Sequence, residues 1–116
     1  MTIKHDITVQ KGAAFTLNIL AQNADRTPKD LTGYSAKMQV RPVAGDLSTP
    51  LLDASTANGR ITINAPGGIV MINVPADVTE AMTWQSGVWD LEISTSAQNV
   101  IRLAEGFASF SLEVTA

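Results

Sequence analysis

Apolar and polar residues alternate with a period of two along most of the chain, which is the pattern of β-strands with one buried face. In DLTGYSAKMQVRP, residues 30–42, apolar side chains occupy the even positions from Tyr34 to Val40, and polar ones occupy the odd positions from Ser35 to Arg41. Turn-forming residues interrupt the alternation at short intervals, which is typical of an antiparallel sandwich or barrel. We therefore predict an all-β, antiparallel β-sandwich of about seven to nine strands, immunoglobulin-like or jelly-roll-like.

Three further segments refine this prediction. The run RITINAPGGIVMINVP predicts a β-hairpin that turns at residues 66–68, and its second arm, residues 69–74, is apolar on both faces, as expected of a central or covered strand. The run PADVTEAM predicts one short helical turn near residues 76–82. The last apolar segment is long for one strand, and its alternation resets near Gly106, which indicates a β-bulge or a bend between two strands.

The length of 116 residues fits one domain, residues 1–116. Within it, residues 1–9 could form an N-terminal arm that reaches a neighbour. Residues 42–59 form a long, irregular excursion with two prolines and two glycines, in which Leu51 and Leu52 could belong to a short edge strand.

The alternation also predicts which side chains are buried. The predicted core residues are Phe15, Leu17, Ile19, Tyr34, Met38, Val40, Ile61, Ile63, Trp89, Leu91, Ile93, Phe110 and Leu112.

Composition narrows the classes of function. The formal net charge is −3 and the basic residues are dispersed, so we expect no nucleic-acid partner. The chain has no cysteine, which excludes disulfides and thiolate chemistry. No signal-peptide pattern and no apolar run of about 20 residues is present, so we expect a soluble protein made in the cytoplasm, with no membrane partner.

The candidate chemistry is sparse. His5 and Asp6 could form a catalytic dyad, but we interpret His5 as a solvated residue near the terminus because catalytic groups need rigid positioning. Asp90 and Glu92 share a strand face, as paired acids would in a glycosidase, yet acids there more simply keep a solvent face polar. We therefore expect no enzymatic activity, no cofactor and no metal.

Two aspartates lie in the polar run between the first long strands. Asp25 and Asp30 could contribute to a calcium loop, but DRTPKD lacks the alternating oxygen ligands and the glycine of such a motif. We predict instead that both carboxylates accept hydrogen bonds from nearby backbone amides in turns.

Tryptophans and leucines supply candidate binding residues. Trp89 lies on an apolar strand face and is predicted to be buried, whereas Trp84 could stack on a sugar or anchor an interface. The excursion carries more apolar side chains than a solvated loop needs, so we predict that it lies at a protein–protein contact, with its leucines forming a lid on the domain's own core as the alternative. The candidate contact residues are Val43, Leu47, Leu51, Leu52 and Trp84.

Several segments together resemble small β-sandwich structural proteins of tailed bacteriophages. They are ITVQKGAAFTLNI, DLTGYSAKMQVRP, NGRITI, GVWDLEI and IRLAEGFASFSLEVT, and the likeness spans nearly the whole chain. In that group the module sits in the tail, baseplate or fibre-attachment region, as a free protein or as the N-terminal domain of a longer chain. The shared motifs are strand and turn signatures, so the resemblance implies no catalytic residues.

The resemblance implies a non-enzymatic virion structural protein that acts by protein–protein assembly after synthesis in the host cytoplasm. Other virion proteins and copies of the same chain are the expected partners. The alternatives are a head decoration protein, or a receptor- or carbohydrate-binding module with Trp84 and the excursion at its site.

Overall fold

The computed structural model describes residues 2–46, 49–96 and 99–112. Most of these residues belong to strands, and the predicted helical turn is present. The strands and the helix are β1 (Ile3–Lys4), β2 (Ile7–Gln10), β3 (Phe15–Leu20), β4 (Ser35–Arg41), β5 (Leu52–Ser55), β6 (Ile61–Asn64), β7 (Ile69–Val74), α1 (Ala76–Glu80), β8 (Ser86–Ser96) and β9 (Asn99–Ser111).

The strands form two sheets that pack face to face. The large sheet has the order β1-β9-β8-β4-β5, with β2 also paired to β9, and the small sheet has the order β3-β7-β6. The chain crosses between the sheets after β2, β3, β5 and β7, which gives the strand order of an immunoglobulin-like sandwich. The predicted all-β sandwich is confirmed, and the immunoglobulin-like alternative describes its topology.

The alternating patterns produced the strands that they predict. The hairpin of β6 and β7 pairs Ile61 with Ile72 and Asn64 with Ile69, and β7 is the central strand of the small sheet, as its two apolar faces indicate. In the large sheet, β4 pairs antiparallel with β8 along its whole length. The hairpin and the central position of β7 are therefore confirmed.

Inward-facing side chains of both sheets form one core. Met38, Val40 and Leu91 are fully buried, and Trp89 is 2% exposed. Leu17, Tyr34 and Ile63 are partly buried at the margin of this core. Leu112 was wrongly predicted to be buried: it is 66% exposed, because the strand ladder ends at Ser111, which pairs with Gln10.

The β-bulge of β9 lies at Leu103, which corrects its predicted position at Gly106. Leu91 pairs with Ala104 and Glu92 pairs with Arg102, so Leu103 is the extra residue. Leu103 and Ala104 are both buried, and the outward-facing positions change from even to odd numbers there. This switch explains why the alternation of apolar and polar residues in the sequence changes phase. The strand β9 continues through the bulge without a break.

The N-terminal residues form strands of this domain rather than an arm reaching outwards. β1 and β2 run parallel to β9, which departs from the predicted all-antiparallel sandwich. Between them the His5 carbonyl takes the space that a side chain at residue 106 would fill, since a Cβ built on Gly106 would lie 2.0 Å from it. The Trp89 indole Nε1 donates a hydrogen bond to the same carbonyl at 2.8 Å.

A buried hydroxyl joins α1 to the turn between β2 and β3. Thr79 is fully buried, and its Oγ1 accepts a hydrogen bond from the Gly12 N–H at 3.1 Å and donates one to the Ala13 carbonyl at 2.8 Å. The ammonium of Lys11 donates to the carbonyl of Glu80, the last residue of α1. These contacts satisfy polar groups that the short helix and the turn would otherwise leave unpaired.

The excursion contains β5, which forms the outer edge of the large sheet next to β4. The predicted edge strand is therefore present, although it begins at Leu52. In the part of the chain that the structure describes, no helix is long and apolar enough to cross a membrane.

Candidate interaction surface

The five predicted contact residues lie in different environments. Val43 is 61% exposed, and Leu51 is half-buried against the core. Leu52 and Trp84 are buried at 2% and 9% exposure, which corrects the prediction that their side chains contact a partner. Leu47 lies outside the described residues. For Leu52, the lid on the domain's own core was the correct alternative, because β5 turns this side chain inwards.

The most exposed large apolar side chain of the described residues is one that the sequence reasoning missed. Phe107 is 69% exposed in β9 and points outwards from the large sheet. It pairs across the sheet with Val88 of β8, which is half-buried. The bulge at Leu103 causes the exposure of Phe107, because it turns the odd-numbered residues that follow it towards solvent.

Val88 and Phe107 form a patch with the loop that follows β4. Arg41 pairs with Val88 across the sheet, and its guanidinium donates hydrogen bonds to the Asp46 carbonyl at 2.8 Å and to Gln39 Oε1 at 2.9 Å. The bond to Asp46 holds the loop beside the sheet face. We call Val43, Ala44, Val88 and Phe107 the Phe107 patch.

Next to this patch, the outer face carries a cluster of charged side chains. Arg102 lies 3.6 Å from Asp90 and 3.2 Å from Glu105, and Lys4 forms an ion pair with Glu105. Lys37 and Glu92 are cross-strand neighbours on the same face. Exposed ion pairs of this kind contribute little to stability but provide a defined pattern of charge.

Two open grooves meet at the Phe107 patch. The first, of about 590 Å³, extends over the charged face, and the second, of about 650 Å³, runs between the loop and the start of β8. Ala44, Val88 and Phe107 line both grooves, together with Asp6, which is the single charged residue among the described residues that line the second groove. The surface therefore combines one protruding aromatic ring, an apolar groove and a charged groove, which are the components of a protein-binding site.

The other predicted residues are accounted for by local structure. Asp25 Oδ1 accepts hydrogen bonds from the Thr27 hydroxyl at 2.6 Å and from its N–H at 3.0 Å, and Asp30 binds Thr32 in the same way. The side-chain bonds, followed by the backbone bonds, lower the pKa of both aspartates. The predicted turn capping is confirmed.

The candidate dyad and the paired acids lie on the same sheet. His5 is exposed, while Asp6 Oδ1 accepts a hydrogen bond from the Phe107 N–H at 3.0 Å. Asp90 and Glu92 lie on the outer face, as predicted. Within residues 2–46, 49–96 and 99–112, no group of three or more metal-binding side chains comes together.

Trp84 does not offer a flat exposed ring. Its ring lies 5.1 Å from that of Phe110, and its Nε1 donates to the Met82 sulfur at 3.3 Å. Trp89 is buried as predicted.

No protein-family model matches the chain, and no curated protein matches it significantly.

Proposed function

We propose that this chain is a non-enzymatic structural protein of a tailed-bacteriophage virion, in its tail, baseplate or fibre-attachment region, and that it acts by binding other virion proteins. The observation that carries the proposal is the Phe107 patch, where a phenylalanine with 69% exposure stands between an apolar and a charged groove. A large apolar side chain at such a place costs solubility unless another protein covers it.

The sequence resemblance supports the choice of particle. The stretches that resemble phage β-sandwich proteins include GVWDLEI and IRLAEGFASFSLEVT, which contain most residues of β8 and β9. These two strands carry Val88, Phe107 and most of the charged outer face. The segments behind the resemblance are therefore also the segments that build the surface.

The outer face suits contact with a partner protein. Aromatic side chains at the centre of an interface, surrounded by polar groups, commonly supply most of its binding energy. The surrounding charges, with both signs present, favour one orientation of the partner over others.

The carbohydrate-binding alternative loses its predicted platform. Trp84 packs on Phe110 inside the domain and presents no open face to a sugar. Protein binding at the Phe107 patch is the function that we retain.

The test uses particles of the phage that encodes the chain. The protein is deleted from the phage and supplied in trans as the native chain, as Phe107→Ser or as Leu112→Ser, and purified particles are probed with an antibody. Leu112 is a matched control because it is also an exposed apolar residue, at 66%, but lies beyond the end of β9. We expect the native chain and Leu112→Ser in particles, and Phe107→Ser to be reduced about tenfold or more, as for an interface anchor.

Both variants should leave the free energy of unfolding within about 0.5 kcal/mol of the native value, because exposed side chains contribute little to folding. Absence of the native chain from particles would contradict the virion role. Equal incorporation of Phe107→Ser and native protein would contradict the assignment of the surface.

A further inference from the structure

The strand β3 is an end strand of the small sheet and pairs with β7 on one side. An end strand presents backbone N–H and C=O groups along its open edge, where another strand can pair. At six residues, β3 is long enough to accept a partner strand of ordinary length.

Every other end strand has a charged residue within it or directly beside it, whereas β3 has none. β5 carries Asp53, β1 carries Lys4, β2 lies between Asp6 and Lys11, and β6 follows Arg60, whose guanidinium donates to the Asp53 carbonyl at 2.8 Å. In contrast, residues 12–24 contain no charged residue and no proline. Charges and prolines are the usual means by which proteins keep edge strands from pairing, so this edge is open to pairing.

The direction of the free backbone groups follows from one hydrogen bond. The Ala21 N–H donates to the Gly68 carbonyl at 2.7 Å, in register with the ladder in which Ile19 faces Val70. Hydrogen-bonded and non-hydrogen-bonded pairs alternate along an antiparallel ladder, so the odd-numbered residues of β3 bond to β7. The backbone groups of Thr16, Asn18 and Leu20 therefore point to the open edge.

We propose that two copies of this chain pair through β3, antiparallel and related by a two-fold axis at Asn18, so that their small sheets form one continuous six-stranded sheet. In this register Thr16 faces Leu20 of the second copy and Asn18 faces itself. The backbone groups of Thr16, Asn18 and Leu20 that point to the open edge all form hydrogen bonds with the second copy. The two side chains of each facing pair lie on the same face of the sheet. A two-fold axis on any residue of β3 pairs even-numbered residues with even-numbered ones, and the axis on Asn18 is the one that lets all three of them pair within the strand.

The apolar side chains along the edge fit the same pairing. Leu20 is 41% exposed, and Leu17, although directed inwards, is only half-buried at the sheet margin. The proposed register places Leu17 beside Ile19 of the second copy, which extends the core across the axis. Because the strand carries no charge, self-pairing brings no like charges together.

A second copy is the occupant because the edge is complementary to itself, which is the requirement of a two-fold interface. This inference deepens the proposed assembly role and rests on it for its setting in the virion. The β3 dimer is tested on purified protein, so that its failure can be distinguished from failure of the proposed virion role.

The experiment is sedimentation equilibrium of the native chain, Asn18→Lys and Thr62→Lys over a wide range of concentration. Asn18 and Thr62 both face Met71 on the outer face of the small sheet, one at each edge, and both are exposed. We expect a concentration-dependent dimer for the native chain and for Thr62→Lys. Asn18→Lys places two like charges opposite each other at the axis and should weaken dimerisation by about tenfold or more.

A mixture of variants tests the axis itself. Equal amounts of the Asn18→Lys and Asn18→Asp proteins should form a mixed dimer, because opposite charges then face each other, while each protein alone should dimerise about tenfold more weakly than the native chain or worse. Dimer formation in the mixture also shows that both variants are folded.

Two results would overturn the proposal. One is a native chain that is monomeric, or that pairs its β3 edge only with a different protein. The other is an Asn18→Lys protein that dimerises as strongly as the native chain while amide exchange of Thr16, Asn18 and Leu20 is unchanged by concentration.

Discussion

At the scale of single residues, small polar groups organise the loops of this domain. Two aspartates hold two turns with the same pair of hydrogen bonds, in the repeated pattern Asp-x-Thr at Asp25 and Asp30. This pattern could be predicted from sequence because donor and acceptor lie two residues apart. The hydrogen bonds of Thr79 could not be predicted from sequence, because its partners, Gly12 and Ala13, are distant in sequence and meet it only in the folded chain.

Thr79 gives a prediction at this scale. Replacing Thr79 with valine keeps the shape but leaves the Gly12 N–H and the Ala13 carbonyl without this partner, so the free energy of unfolding should fall by about 1–3 kcal/mol. Urea denaturation measures the change. Thr79→Ser retains the hydroxyl and is the control for its hydrogen bonds, although it also removes a buried methyl group. A valine variant as stable as the native protein would show that these bonds do not matter.

At the scale of strands, the sequence predicts what is local. Alternation within a segment predicts β4 and the hairpin of β6 and β7, because each signal is confined to neighbouring residues. The parallel pairing of β2 with β9 has no such signal, since Ile7 and Ala108 are far apart in the chain. The exposure of Phe107 escaped prediction for a related reason: a bulge anywhere in the preceding residues resets the alternation, and only the pairing with β8 places it at Leu103.

Gly106 provides the prediction for these strands. A methyl group at residue 106 would overlap the His5 carbonyl, so Gly106→Ala should push β1 away and lower stability by about 1–3 kcal/mol. Amide exchange should become faster in β1 and β2. Gly67→Ala is the control, because the nearest atom to its new Cβ, in the Asn64 side chain, is 3.4 Å away. Equal effects of the two substitutions would mean that the close approach at His5 is unimportant.

At the scale of the whole molecule, the two proposed contacts use opposite sides of the sandwich. The Phe107 patch belongs to the large sheet, and the β3 edge belongs to the small sheet. A dimer formed through β3 would therefore leave both Phe107 patches open to partner proteins. This arrangement makes the copy number at the attachment point even, and Asn18→Lys and Phe107→Ser should act independently of each other.

The parallel pairing of β1 and β2 with β9 also decides how the domain carries mechanical tension. Six residue pairs join these strands, and the two ends of the chain leave the ladder at opposite ends. A pull through both ends therefore loads all these pairs in shear at once. In single-molecule force spectroscopy, handles at Thr2→Cys and Leu112→Cys should give higher rupture forces than handles at Gln10→Cys and Leu112→Cys, where Gln10 and Ser111 are neighbours and the strands peel apart pair by pair. Equal rupture forces for the two pairs of handles would contradict this prediction. Higher forces for the handles at residues 2 and 112 would make the domain a link that withstands pulling.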